Sequence, residues 1–572
     1  MQFEPNNPLI VQGDGSLLLE VDCEQSEAVR SFLARFAELE RAPEHIHTYR
    51  ITSLFLWNAA SAGMSPKRIA DGLRQFSKYD VPNKVVNDIE EKVSRFGKVV
   101  LLPPEADAPD MLRLQVDDLQ VARKIATNKA ATSLCAGAIR EGLFRVPLGH
   151  RGTIKQALLK LGYPVEDLAG FVEGAPLAVE LRAETRAGKP FNLRRYQRQA
   201  VDAWHKGGEL GGGHGVVVLP CGAGKTIVGL AGMAATGCQT LILATGTASV
   251  RQWIHEILER TSLSEEQVGE FSGARKEIRP VTVTTYQILT HRRSTDHEFT
   301  HMGLFSAANW GLIVYDEVHL LPAPVFRVTA DIQARRRLGL TATLVREDGR
   351  EADVFSLIGP KRFDVPWKDL ERKGFVAEAR CVELRVDLID SLTLRYEAAE
   401  KRQKVRIAAE NPAKMVVIDE LLKKHRDDKV LIIGMYLDQL QDAARVFGAP
   451  LITGKTPAAD REQLYEEFRQ GSIRVLVVSK VANFSIDLPD ANVAIQISGT
   501  FGSRQEEAQR LGRILRPSGG KCWFYSVVTH NSREQEFAHN RQLFLTEQGY
   551  TYEVREWTSA TQGDSTVNGR PA

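Results

Sequence analysis

The chain holds a run, Pro220-Cys221-Gly222-Ala223-Gly224-Lys225-Thr226, whose residue types can cradle a phosphate. It follows the apolar stretch Val216–Leu219 and opens a helix-forming stretch, Ile227–Ala235. Glycines let a backbone curl tightly around phosphate oxygens, and a helix N-terminus adds amide donors and a favourable dipole. At this spacing Lys225 is placed to reach terminal phosphates and the Thr226 hydroxyl to ligand magnesium. Pro220, Gly222, Ala223 and Gly224 supply the loop itself. Leu219 stands where the general pattern has its first glycine.

Asp316-Glu317-Val318-His319 follows the apolar run Leu312–Tyr315. A carboxylate at the C-terminal edge of a parallel strand lies beside a phosphate loop. Asp316 is then the residue to hold magnesium through water, and Glu317 the one to polarise an attacking water for in-line phosphoryl transfer. Upstream, in Leu193-Arg194-Arg195-Tyr196-Gln197, the Gln197 amide can read both donor and acceptor on an adenine edge, with Arg195 beside it. Further on, Gln509, Gly512, Arg513 and Arg516 fall on one helical face by i, i+3 and i+4 spacing. Guanidinium groups there can bind a γ-phosphate in bidentate fashion and stabilise transition-state charge.

Parallel sheets must position these groups. Val216–Leu219, Thr240–Ala244, Val281–Thr285, Leu312–Tyr315 and Leu338–Thr341 alternate with helical stretches. The pattern recurs at Val430–Gly434, Arg474–Ser479, Val493–Ile497 and Trp523–Val528. The fold class is therefore α/β, with two parallel-sheet lobes joined near Lys368–Gly374. The arginine face and the phosphate loop belong to different lobes, so the site is complete only when the cleft closes, and ATP favours closure through those contacts.

The predicted boundaries are a helical N-terminal domain over 1–105, a small α/β domain over 106–188, a first lobe over 189–368 and a second over 369–557. Val29, Phe32, Leu33, Phe36 and Leu39 recur at helical spacing, and Ser65-Pro66 reads as an N-cap with proline at the first helical position. Leu112, Leu114 and Val116 alternate like a strand, and Gly152–Leu161 reads as a helix. The small, polar residues 558–572 read as a disordered tail.

The 43% hydrophobic and 26% charged residues match a soluble globular chain, and 572 residues exceed one core. No apolar run of about 18 residues occurs, so no membrane span is expected. The start lacks a basic, then apolar, leader pattern. Six scattered cysteines without a CxxC pair argue against zinc, iron–sulfur or disulfide chemistry and fit a reducing, cytoplasmic compartment. A net charge of +2 leaves phosphate binding to local basic surfaces.

Taken together, these segments resemble the XPB-type DNA helicases of superfamily 2, over most of the chain. The resemblance is carried by the Arg-Tyr-Gln segment, the Pro-x-Gly-x-Gly-Lys-Thr loop, the DEVH box, Thr341-Ala342-Thr343, Arg346-Glu347-Asp348, Ser479-Lys480-Val481, Ile486-Asp487-Leu488-Pro489 and QRLGRILRP. Val146–Pro164 leads into the motor as that family's damage-recognition-like domain does, and residues 44–103 resemble its N-terminal domain more weakly. Ala482-Asn483-Phe484 departs from the family, which has a Gly-Asp-Thr-like segment there.

The resemblance implies two RecA-like lobes and ATP-dependent 3′→5′ movement or unwinding, with ATP and Mg²⁺ as cofactors. It also implies a DNA repair setting, nucleoid association if the source is prokaryotic, single-stranded or forked duplex DNA as partner, and a repair nuclease or another repair protein beside it. Asp487 joins the nucleotide site, and Arg346, Glu347 and Asp348 engage the duplex near the fork. Thr341 and Thr343 couple nucleotide state to the lobes. Thr245, Thr284, Thr285 and Ser479 are placed to grip the DNA backbone without reading sequence. A thumb-like insertion near 390–410, with Lys401, Arg402, Lys404 and Arg406, grips DNA. Three other readings remain: a duplex translocase that never separates strands, an ATPase-inactive DNA-binding scaffold, and an RNA helicase, against which the XPB-specific motifs speak. The presence of Lys225, Asp316, Glu317, Arg513 and Arg516 argues against the second.

Overall fold

In a computed structural model of the chain, the described residues are 3–42, 45–209, 211–220, 222–273, 275–291, 300–322, 325, 328–329, 335–342, 350–365, 367–375, 378–479, 491–499, 521–547, 550 and 552–557. The chain divides into two compact units. One holds two N-terminal sheets and the first motor sheet; the other holds the second motor sheet.

Each motor sheet has seven strands among the described residues, all parallel. In the first, the order across the sheet is Val268–Phe271, Val281–Thr285, Thr240–Ala244, Leu312–Asp316, Arg336–Thr341, His214–Val218 and Lys361–Asp364. The central strands are buried along their whole length, because helices cover both faces, and so they read as continuous apolar runs. Every strand expected in this sheet is present. Val268–Phe271 and Lys361–Asp364, which lie at the sheet edges, had no clear sequence signal.

In the second unit the order is Leu451–Ile452, Val475–Ser479, Val430–Gly434, Val493–Gln496, Lys521–Thr529, Glu378–Val386 and Tyr552–Glu556. A buried polar network underlies it. Lys414, 0% exposed, donates to both oxygens of Glu534 (2.7 and 2.8 Å) and to the carbonyl of Ile497 at 2.8 Å. Glu534 also accepts from the Thr529 N–H at 3.0 Å. Buried charges persist only with such partners.

The expectation that 1–105 is a helical domain is corrected. An antiparallel sheet, ordered Leu9–Val11, Ser16–Glu20, Ile46–Arg50, Glu38–Arg41, packs with helices Ser26–Leu33, Ser53–Ser61, Pro66–Phe76 and Asn83–Ser94. The helical spacing of Val29 and Leu33 is real, but the helix stops at Leu33 and Leu39 lies in a strand. Strands of three to five residues are too short for alternation to stand out against a helical period. The Ser65 hydroxyl does cap its helix, accepting from the Arg68 N–H at 3.2 Å.

The second small sheet runs Gly137–Arg140, Leu143–Pro147, Met111–Val116, Val99–Leu102, Val165–Asp167. Val99–Leu102 therefore belongs with the small α/β domain, ahead of the expected boundary at 106. Beneath it the helix Arg151–Lys160 brings Arg151 and Lys155 onto Asp167, at 2.8 and 2.9 Å, all three buried. Phe171 carries the Arg151 guanidinium at 5.1 Å and that of Arg337, from the motor sheet, at 5.5 Å. The chain beyond pairs with the motor through Leu177 N–H to Gly237 O and Arg182 N–H to Arg260 O, both 2.9 Å.

Candidate active site

The strand His214–Val218 delivers the phosphate loop to the C-terminal edge of the first motor sheet. The helix Lys225–Thr236 starts at Gly224, whose φ of +83° is a left-handed conformation that glycine adopts without strain. A Cβ there would also lie 2.5 Å from Gln197 Nε2. Lys225 and Thr226 occupy the first turn, both half-buried. Pro220 and Ala223 are buried and Gly222 is exposed.

Helix Arg195–His205 braces this loop from outside. Tyr196 OH and Gln197 Nε2 donate to the Ala223 carbonyl at 2.6 and 3.0 Å, while Gln197 Oε1 accepts from the Arg194 N–H at 3.0 Å. Gln197 thus scaffolds the phosphate loop, a role that its isolated position in the sequence did not suggest. An amide oxygen has two lone pairs and its nitrogen two protons, so each end keeps a further hydrogen-bonding position. Arg195 is exposed on the first turn.

Sheet order brings the carboxylates to the loop. The strand Leu312–Asp316 is separated from His214–Val218 by one strand, Arg336–Thr341. Two inter-strand spacings span about 10 Å, which long side chains can bridge. Lys225 Nζ meets Glu317 Oε1 at 2.8 Å. Glu317 sits at φ +47°, an uncommon conformation for a non-glycine residue and one that clusters at functional sites. His319, from the same box, lies 3.5 Å from Glu317 Oε2 and 2.6 Å from the hydroxyl of Thr341, which ends the intervening strand.

Asp316 is held at both ends: Trp253 Nε1 donates to its Oδ2 at 3.0 Å, and Tyr286 OH to its main-chain carbonyl at 2.8 Å. Burial, then the neighbouring Glu317, push its carboxyl up to about 6. Burial alone would raise Glu317 as well, but the Lys225 ammonium and then His319 hold it below the ordinary carboxylate range. The two neighbouring carboxyls are therefore pushed in opposite directions, an asymmetry met at sites whose groups have divided roles.

The donor set suits magnesium. The Thr226 hydroxyl is a hard oxygen ligand, and the Asp316 carboxylate is a hard acceptor for a metal-bound water. Magnesium bound with phosphates takes only one or two carboxylates and several waters. No group of three or more His, Cys, Asp or Glu able to hold a metal occurs among the described residues.

The DNA-facing candidates divide. Thr245 is half-exposed, its hydroxyl 3.3 Å from that of Ser249. Thr284 and Thr341 are 0% exposed, Thr285 4% and Ser479 3%. Thr285 spends its hydroxyl accepting from the Ile288 N–H at 3.3 Å, as the cap of helix Tyr286–Leu289. Burial keeps these four hydroxyls from the surface. The thumb-like segment is two helices, Asp390–Ala398 and Lys401–Ala409. Lys401 and Arg402 are exposed, but Arg406 is paired with Glu410 (2.9 Å) and Asp438 (2.8 Å). Thr343, Arg346, Glu347, Asp348, Asp487, Gln509, Arg513 and Arg516 lie outside the described residues.

Comparison with known proteins decides the family. Residues 370–568 match the family model "ERCC3/RAD25/XPB C-terminal helicase", residues 190–346 that of "Type III restriction enzyme, res subunit", and residues 9–140 a "Helicase conserved C-terminal domain". A "DNA 3'-5' helicase XPB" of Mycobacterium tuberculosis is 52% identical, covering 96% of this chain and 98% of that protein. The chain belongs to the XPB family of DNA helicases. Its Kineococcus radiotolerans relative of the same name is 53% identical over 96% of each chain. A more distant relative in Antonospora locustae, "General transcription and DNA repair factor IIH helicase/translocase subunit XPB", is 33% identical over 95% of this chain and 81% of its own. The two seven-stranded parallel sheets fit the two motor lobes expected of this family.

Proposed function

We propose that this chain is an ATP-driven DNA motor that moves 3′→5′ and separates strands, with hydrolysis centred on Lys225, Asp316 and Glu317. The Lys225–Glu317 contact at 2.8 Å carries this reading, because it places the phosphate-loop cation and the water-polarising carboxylate face to face. An incoming γ-phosphate competes for Lys225. As the ammonium turns to phosphate oxygens, Glu317 is released to accept a proton from an in-line water. Magnesium, held by Thr226 and through water by Asp316, would supply charge neutralisation on the β- and γ-oxygens. Pro220, Gly222, Ala223 and Gly224 wrap the phosphates. Gln197, with Arg195 alongside, offers its remaining donor and acceptor to adenine, and Asp487 supports the nucleotide from the second lobe.

Gln509, Arg513 and Arg516 complete the site from that lobe and stabilise transition-state charge. His319 and Thr341, hydrogen-bonded to each other, pass the state of Glu317 to Thr343 and the Arg346-Glu347-Asp348 segment at the duplex. Thr245 and the main-chain amides near Thr284, Thr285 and Ser479 grip phosphates, and Lys401, Arg402 and Lys404 add a basic face. Opening a base-pair step costs only about 1–2 kcal/mol, so the demand on the motor is rectification rather than energy. The cellular setting that follows is cytoplasmic DNA repair, on forked or single-stranded DNA, beside a repair nuclease or other repair protein. No described helix is long and apolar enough to cross a membrane.

Phosphate release measured with single-stranded, duplex and forked DNA and with RNA tests the proposal. Stimulation by DNA that disappears in Lys225→Ala and Glu317→Gln is expected. Equal rates with and without DNA would refute it. Strand displacement on 3′- and 5′-overhang substrates decides direction.

A further inference from the structure

Asp316 is gripped by a residue outside every motif described above. Trp253 lies in the helix Thr247–Arg260, is 1% exposed, and donates its indole N–H to Asp316 Oδ2 at 3.0 Å. An indole has one donor and no acceptor, so the contact makes the two carboxylate oxygens inequivalent. The ring is clamped from the other side. Gly229, in the helix that opens at Lys225, abuts it so closely that a Cβ would lie 2.4 Å from Trp253 Cη2.

The same helix begins at Gly246, next to Thr245, the half-exposed member of the DNA-facing set. From Thr247 to Trp253 is a rise of about 9 Å along the axis. One rigid element therefore has its first turn at the DNA-facing loop and its second against the carboxylate.

We propose that Trp253 is a positioning residue that orients Asp316 toward magnesium, and that its helix conveys DNA engagement at Thr245–Gly246 to the hydrolysis site. This rests on the proposed reading of Asp316 as the metal-side carboxylate. Partners that orient metal-side ligands typically contribute 10–100-fold to metal affinity.

Two variants separate positioning from packing. Trp253→Phe keeps an aromatic ring and removes the donor; Gly229→Ala keeps the donor and displaces the ring. Binding of a non-hydrolysable ATP analogue is titrated by calorimetry across Mg²⁺ concentrations, alongside melting temperature, indole emission and the ratio of DNA-stimulated to basal ATPase. In both variants the Mg²⁺ needed for half-maximal analogue binding rises roughly ten-fold, and the DNA stimulation ratio falls. The Mg²⁺-dependent emission change of the parent is lost in Trp253→Phe. If Trp253→Phe fails to fold, Gly229→Ala carries the test alone. Parent-like Mg²⁺ dependence and stimulation in a folded variant overturn the inference. Asp316→Asn distinguishes the two levels. If it is Mg²⁺-defective while the other variants behave like the parent, the inference alone falls. If it keeps the parent's Mg²⁺ dependence, the metal-side reading falls too.

Discussion

Single side chains in this protein are constrained from several directions at once, which makes their substitution informative. Gly224 is required both by its φ of +83° and by the Gln197 amide 2.5 Å from any Cβ. Gly224→Ala should cost about 1–3 kcal/mol of loop conformation, roughly 5- to 150-fold in nucleotide affinity. Calorimetry with a non-hydrolysable ATP analogue reads this directly, and unchanged affinity would contradict the loop geometry. Glu317→Gln retains shape but cannot accept a proton. Its kcat should drop by roughly 10²–10⁴ while analogue binding persists. A kcat within a few-fold of the parent would assign proton acceptance elsewhere.

Elements set which of these residues meet. The Lys414–Glu534 network ties the helix Ala413–Lys424 to Ile497, just past the strand Val493–Gln496, and to the helix Arg533–Glu547. Removing one partner strands a buried charge, at a cost of about 3–5 kcal/mol. Glu534→Ala should therefore accelerate hydrogen exchange across Val493–Gln496, and Lys414→Met combined with Glu534→Leu should restore much of the protection. Exchange is the suitable readout because a multi-unit chain need not unfold in one step. Equal exchange in parent and Glu534→Ala would show the network to be dispensable. Element types were legible where length and periodicity agreed. Thr240–Ala244, Val281–Thr285 and Val430–Gly434 occur with the expected ends, being fully buried runs rich in β-branched and aliphatic residues. The N-terminal sheet was not legible, because its strands of three to five residues are not long continuous apolar runs and lie beside residues at helical spacing.

At the scale of the whole molecule, the small α/β domain is anchored to the first motor sheet through a charged junction. Asp167 faces Arg151 and Lys155. Burial alone would raise its carboxyl, but those cations hold it well below the usual range. Burial, with Arg337 and Arg151 nearby, pushes Lys155 down from 10.5 to about 7 against the pull of Asp167. Between those two values the unfolded chain binds the extra proton, so stability rises with pH, by at most about 1.4 kcal/mol per unit. The melting temperature of the parent should climb from pH 7 to 9 relative to Lys155→Met, in which this contribution is absent. Parallel curves would refute the shift. Salt acts at the same scale: backbone gripping by cations predicts that DNA-stimulated ATPase falls steeply with several-fold more salt, and a flat response would remove that mode of binding.

The sequence by itself determined the chemistry available and the two parallel sheets. Glycine spacing, a lysine-threonine pair and strand-end carboxylates are local properties that adjacent residues specify. Tertiary structure decided which groups touch. Strand order sets Leu312–Asp316 two places from His214–Val218, so Glu317 reaches Lys225 and His319 reaches Thr341. It also brought Trp253 and Tyr286 to Asp316, and turned Gln197 onto the phosphate loop. Those contacts join residues far apart in the chain, and no local periodicity encodes which strand lies beside which.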